Sequence, residues 1–222
     1  MPSVVEIQAL SSEIGERIRG LADRSVAPLR MVRKEYTKRV KAWSGPQVIS
    51  LAQALLDEPG VDRFVADELI ACHEEAPKLL DDRLLEQLAH GMASWGEVDC
   101  FGCLLSGPAW REGQISDETI HGWARSDDRW WRRAALVSTV PLNMRSRGGR
   151  GNTKRTLAAC RLLLDDRDDM VVKAMSWALR ALIVHDRRAV ERFLQQHELR
   201  LAARVLREVR NKLATGKKNP TR

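Results

Sequence analysis

Apolar residues return along this 222-residue chain at intervals of three and four rather than alternately, the period of a helix with one buried face. Between 61 and 76, Phe64, Val65, Leu69, Ile70 and Cys72 fall on one side, with Asp62, Asp67, Glu68 and Glu74 largely on the other. Leu84, Leu85 and Leu88 repeat the pattern, as do Leu157, Ala158, Leu162 and Leu163. No hairpin signal flanked by alternating β-branched residues interrupts it. The fold class expected is all-α.

Helix starts are expected near Asp81, Ser94, Ser116, Asp127, Thr153 and Asp168, each a capping residue ahead of an apolar run. Every second start lies roughly 33–41 residues from the last, near the period of helical-pair repeats such as TPR, HEAT and armadillo. The repeats do not match in sequence, so a stack of paired helices rests on spacing, and an irregular bundle is the alternative. Stacking of this kind makes a right-handed curved solenoid with one concave face for a long partner. Ser106-Gly107-Pro108 and the basic, Gly-rich stretch Arg145–Lys154 read as breaks. Composition does not shift along the chain, so one domain is expected over 1–222, with 216–222 a frayed tail.

Lys and Arg number 37 against 30 Asp and Glu, a net charge of +7, which favours a polyanionic partner. No apolar run reaches the roughly 18 residues of a membrane span, and Met1–Glu6 has neither a basic start nor a long apolar run. The four cysteines show no disulfide pattern, so a reduced, cytoplasmic setting is expected. The five histidines form no ligand pattern, Cys100-x-x-Cys103 lacks a second pair, and no P-loop or dinucleotide fingerprint is present. Seven Trp against three Phe and one Tyr is the unusual feature.

Three segments carry candidate chemistry. In Ser94-Trp95-Gly96-Glu97-Val98-Asp99 a capping box starts a helix, with Trp95 in its first turn and Asp99 one turn later. An indole beside a carboxylate suits a cation; a core Trp with a surface ion pair fits the same spacing. In Asp127–Val137, three arginines surround Trp130 and Trp131, and Arg133 shares a side with Trp130 and Val137. A partly packed guanidinium is positioned to hold a phosphate bidentately; an arginine paired with Asp127 or Asp128 is the alternative. Lys173, Trp177 and Arg180 form one stripe of an otherwise apolar helix, suiting a sugar-phosphate backbone or a solvated edge with one core Trp. Arg145, Arg147, Arg150, Lys154 and Arg155 add a basic loop able to track phosphates.

Taken together these segments resemble the AlkD-type DNA glycosylases, a DNA alkylation repair family built from HEAT-like repeats. The likeness rests on Ser94–Asp99, on Trp123-Ala124-Arg125-Ser126-Asp127 running into Trp130-Trp131-Arg132-Arg133-Ala134, and on Lys173–Arg180, in order and spacing over roughly 81–200. It implies a solenoid with a concave basic face, and an enzyme that hydrolyses the N-glycosidic bond of cationic alkylated bases in double-stranded DNA. Trp95, Asp99 and Trp177 are the catalytic residues it implies, with Arg133 holding a phosphate. Lys173, Arg180, Arg132, Trp130, Arg147 and Arg150 are the further DNA contacts expected. No lysine stands in these motifs as a Schiff-base nucleophile, so the resemblance implies a monofunctional glycosylase, monomeric, with no metal, cofactor or membrane. The family's N-terminal aromatic has no counterpart, since Tyr36 does not align. A non-catalytic DNA-structure binder of the same family and a HEAT-like protein scaffold are the competing readings.

Overall fold

The computed structural model describes residues 2–219, and these are helical with no strand among them. By their internal contacts they form two compact units, Met1–Gly91 and Met92–Arg222.

The first unit comprises α1 (Val4–Arg19), α2 (Val26–Arg39), α3 (Gly45–Asp57), α4 (Arg63–Ala71) and α5 (Asp82–Ala89). Ser3 caps α1 through a reciprocal box with Glu6, and Asp81 caps α5 by accepting from the Leu84 N–H at 2.7 Å. The periodicity of α4 is only half obeyed. Val65, Leu69 and Ile70 are buried as expected, but so are Asp67 and Glu68, while Cys72 is exposed. For Glu68 the reason lies on α2, whose Arg30 and Arg33 meet its carboxylate at 2.7 and 2.8 Å; a paired carboxylate tolerates burial that an isolated one does not. Arg63, also buried, donates to the Leu88 and His90 carbonyls and so satisfies groups left open at the end of α5. Tyr36 is buried, with its hydroxyl donating to Glu13 at 2.9 Å.

The second unit begins with α6 (Trp95–Phe101), which runs through a π-helical turn at Gly102–Ser106 into α7 (Gly107–Arg111). Then come α8 (Asp117–Ala124), α9 (Arg129–Val137), the single turn α10 (Val140–Asn143), α11 (Thr153–Leu162), α12 (Asp169–Gln196) and α13 (Ala203–Thr215). Ser94, Ser116 and Asp168 cap as expected; Asp128 replaces Asp127, and Asn152 caps the helix that Thr153 begins. The long α12 packs on α9, α11 and α13, and carries one non-helical residue, Asp186. The break at 106–108 is a close helix crossing. A Cβ at Gly107 would stand 2.3 Å from Pro141 and 2.6 Å from the Ser138 carbonyl, so only glycine lets α7 and α10 approach.

The abundant tryptophans divide by role. Trp110 and Trp123 are core, and Trp123, Trp131 and Phe101 form an aromatic cluster with centroids 5.1–6.4 Å apart. At the chain end, a turn follows the last helix. Gly216 (φ +74) closes α13, and Asn211 donates to the Lys218 carbonyl at 3.2 Å. Residues 220–222 of that tail lie outside the described residues.

Candidate active site

The start of α6 presents the first functional side chains. Ser94 accepts from the Glu97 N–H at 3.3 Å, while the Glu97 carboxylate takes the Ala93 N–H at 2.8 Å rather than that of Ser94. The capping box is therefore displaced by one residue, but the helix still begins where expected. Trp95 occupies the first helical position and is 60% exposed, a large indole left in solvent. One turn on, Asp99 points inward to an arginine.

That arginine is Arg133, in the second turn of α9 and only 5% exposed. Its Nε donates to Asp99 Oδ1 at 3.0 Å, and its Nη2 lies 2.8 Å from Oδ1 and 3.0 Å from Oδ2, a bidentate ion pair. Its Nη1 donates to the Met170 carbonyl at the start of α12. One guanidinium thus ties α6, α9 and α12 together. Burial pushes the Asp99 carboxyl above its ordinary pKa, against the opposing attraction of Arg133. The sequence offered Asp127 and Asp128 as partners for Arg133; the structure selects Asp99.

Beside this pair opens a cleft of about 390 Å³ lined by Trp95, Arg133, Met170, Lys173, Trp177, Arg180 and Lys218. The three candidate segments therefore converge, and the two indoles expected to face a sugar line the same cleft. Lys173 pairs with Asp169 one turn earlier at 2.6 Å. Arg180 differs from it. Half buried, it makes no ion pair among the described residues, and its Nε donates to Ser176 Oγ at 3.2 Å. Burial holds its pKa below the ordinary arginine value, with Glu208 pulling the other way. Lys218 and the buried Glu208 behind it went unnoticed in the sequence. Glu208 sits on the inner face of α13, where helical period alone offers a weak signal, and Lys218 fell in the presumed tail.

Other expected DNA contacts lie outside the cleft lining. Arg132 donates to Asp166 at 2.7 Å and to the Ser126 and Asp127 carbonyls, a staple over the turn between α8 and α9. Trp130 is covered by the Arg129 guanidinium, 4.8 Å from its ring centroid. Arg147 and Arg150 belong to the basic loop. Arg147 reaches the Cys103 carbonyl at 3.4 Å, and Arg150, exposed, helps line a separate depression with Arg111, Gly148 and Asn152. This loop is anchored rather than loose. Buried Asn143 donates to Thr139 and Thr156 and accepts the Asn152 N–H at 3.0 Å. Among the described residues, no group of three or more His, Cys, Asp or Glu is placed to hold a metal, and no helix is long and apolar enough to cross a membrane.

Two aromatic faces and several cations around one cleft suit a polyanion carrying rings or sugars, with a carboxylate close behind one wall. Compared with known proteins, residues 24–213 match a family model described as DNA alkylation repair enzyme. No curated protein and no solved structure matches the chain.

Proposed function

Because the chain belongs to the DNA alkylation repair enzyme family, which gives it a role in DNA repair, we propose that it is a monofunctional DNA glycosylase. Its substrates are cationic alkylated purines of the N3-methyladenine and N7-methylguanine type in double-stranded DNA, and it hydrolyses their N-glycosidic bond. The recurring capped helix starts support a HEAT-like pairing of helices, and in this reading the chain acts as a monomer with its basic surface toward the duplex.

The observation that carries this reading is the Asp99–Arg133 pair held behind a cleft with an indole on each of two helices. An alkylated purine of this type is already a good leaving group. As its bond to C1′ lengthens, positive charge grows on the deoxyribose, and the faces of Trp95 and Trp177 stabilise it through their quadrupoles. The Asp99 carboxylate adds Coulombic stabilisation and orients the attacking water. Arg133 acts here mainly by fixing Asp99 and keeping it ionised despite burial; Lys173 and Arg180 take the backbone phosphates. The chemistry acts on the sugar, so the base needs no enclosing pocket, unlike enzymes that flip a base into one.

The test is release of free 7-methylguanine and 3-methyladenine from methylated duplex DNA. Wild type should release both, and Asp99→Asn should lose activity on the order of a hundredfold while still binding DNA. The engagement of Arg133 by Asp99 and the Met170 carbonyl favours one second reading, in which the pair is a structural tie and the protein binds DNA without catalysis. That reading predicts duplex binding with no base release by wild type.

A further inference from the structure

The cations of the cleft are not independent side chains. Asp169 holds Lys173 at 2.6 Å and also pairs with Arg204. Arg204 lies 3.9 Å from Glu208 Oε1, and Glu208 Oε2 receives the Ser176 hydroxyl at 2.7 Å and lies 3.4 Å from Lys218 Nζ. The same Ser176 oxygen accepts from Arg180 Nε. Lys173, Arg180 and Lys218, the three cleft cations other than Arg133, are therefore joined through two carboxylates, one bridging arginine and, for Arg180, the Ser176 hydroxyl.

Glu208 is the centre of this arrangement, and its placement is costly. It is 4% exposed, and burying a charged carboxylate is costly unless it is paired and hydrogen-bonded. Ser176 is fully buried and oriented both ways, donating to Glu208 and accepting from Arg180. A hydroxyl so used gives Arg180 a fixed Nε direction and leaves its two Nη groups without a hydrogen-bond partner among the described residues. Lys218 comes from the segment beyond the Gly216 turn, and its side chain remains 42% exposed.

We propose that Glu208, through Ser176, is a positioning residue that aims Arg180 and Lys218 as a two-sided clamp for a phosphate of the DNA backbone. Lys218 is then a direct phosphate contact of the C-terminal segment. Preorganisation is the advantage: two cations held apart from one another and from solvent disorder lose less freedom when a phosphate arrives. This rests on DNA being the substrate, as proposed above.

The sign of one substitution separates positioning from simple charge. Glu208→Gln removes a negative charge near the phosphates, which by Coulomb attraction alone should tighten DNA binding. If Glu208 positions the clamp, binding weakens instead. The experiment measures affinity for undamaged duplex DNA against salt for wild type, Glu208→Gln, Ser176→Ala and Lys218→Ala. Lys218→Ala should make the negative slope of log K against log salt shallower by about 0.9, the loss of one phosphate contact, equivalent to about 3.5-fold in the affinity change between 50 and 200 mM. Ser176→Ala and Glu208→Gln should weaken binding severalfold at low salt and make the slope shallower too.

Tighter binding by Glu208→Gln with an unchanged slope would overturn the proposal, as would a Lys218→Ala slope equal to wild type. The exposed Lys218 keeps the test decisive should Glu208→Gln not fold. Base release by wild type is read in parallel. Slope changes without base release remove the glycosylase and leave the clamp; base release with unchanged slopes does the reverse.

Discussion

Replacing Arg133 by Met should expose how the Asp99–Arg133 pair is stabilised. Arg133 makes three contacts of 2.8–3.0 Å to Asp99 and one to the Met170 carbonyl. Removing one partner of a buried pair costs about 3–5 kcal/mol, because the other charge stays behind uncompensated. The Asp99 side chain is 20% exposed, which places the cost near the lower end, about 3 kcal/mol. Losing the bond to Met170 adds about 1 kcal/mol. Urea unfolding at pH 7 should therefore show a loss of about 4 kcal/mol.

Two further measurements isolate the electrostatic part. With Asp99→Asn already present no carboxylate is left stranded, so the double variant should lose about 3 kcal/mol less than the sum of the two singles. The pH dependence has a definite sign. A carboxyl with a raised folded-state pKa holds its proton more tightly folded than unfolded, so its ionisation opposes folding as pH rises through that value. Without Arg133 that pKa rises further, and the penalty of Arg133→Met should shrink as pH falls from about 7 toward 4. Additive losses, or a penalty indifferent to pH, would refute the argument that Arg133 acts by compensating a buried charge.

Trp95→Ala should leave the unfolding midpoint nearly unchanged, within about 0.5 kcal/mol for an exposed side chain. It should still slow base release about 2- to 30-fold, the kinetic equivalent of a cation–π contribution of about 0.5–2 kcal/mol; a large loss of stability would make Trp95 structural. Tyr36 is pushed up to about 12, chiefly by burial and then by its bond to Glu13. Its folded pKa lies above the unfolded value near 10, so its contribution is complete below about 10 and lost as pH rises to about 12. Alkaline unfolding should show that decline in wild type, and Tyr36→Phe should flatten it between those values.

What the sequence determined is what depends on neighbours along the chain. The Ser94, Ser116 and Asp168 caps act within two or three residues, and the helical period of Leu85, Leu88 and Ile70 is read from a single turn or two. The three candidate segments were legible for the same reason, since Trp95 with Asp99 and Lys173 with Trp177 and Arg180 are each one local stripe. Tertiary structure decided which charge meets which. Glu68 looked like surface until Arg30 and Arg33 approached from α2, and Arg133 had two acidic residues within six positions yet pairs with Asp99, 34 residues away. Arg132, with the same local surroundings, went instead to Asp166 and two carbonyls. Glu208 became the hub of the cleft only because α12 and α13 pack together. Caps and periodicity are set by backbone geometry over one turn, whereas an ion pair is set by distance and burial in space, and neither exists for these residues until the helices are packed.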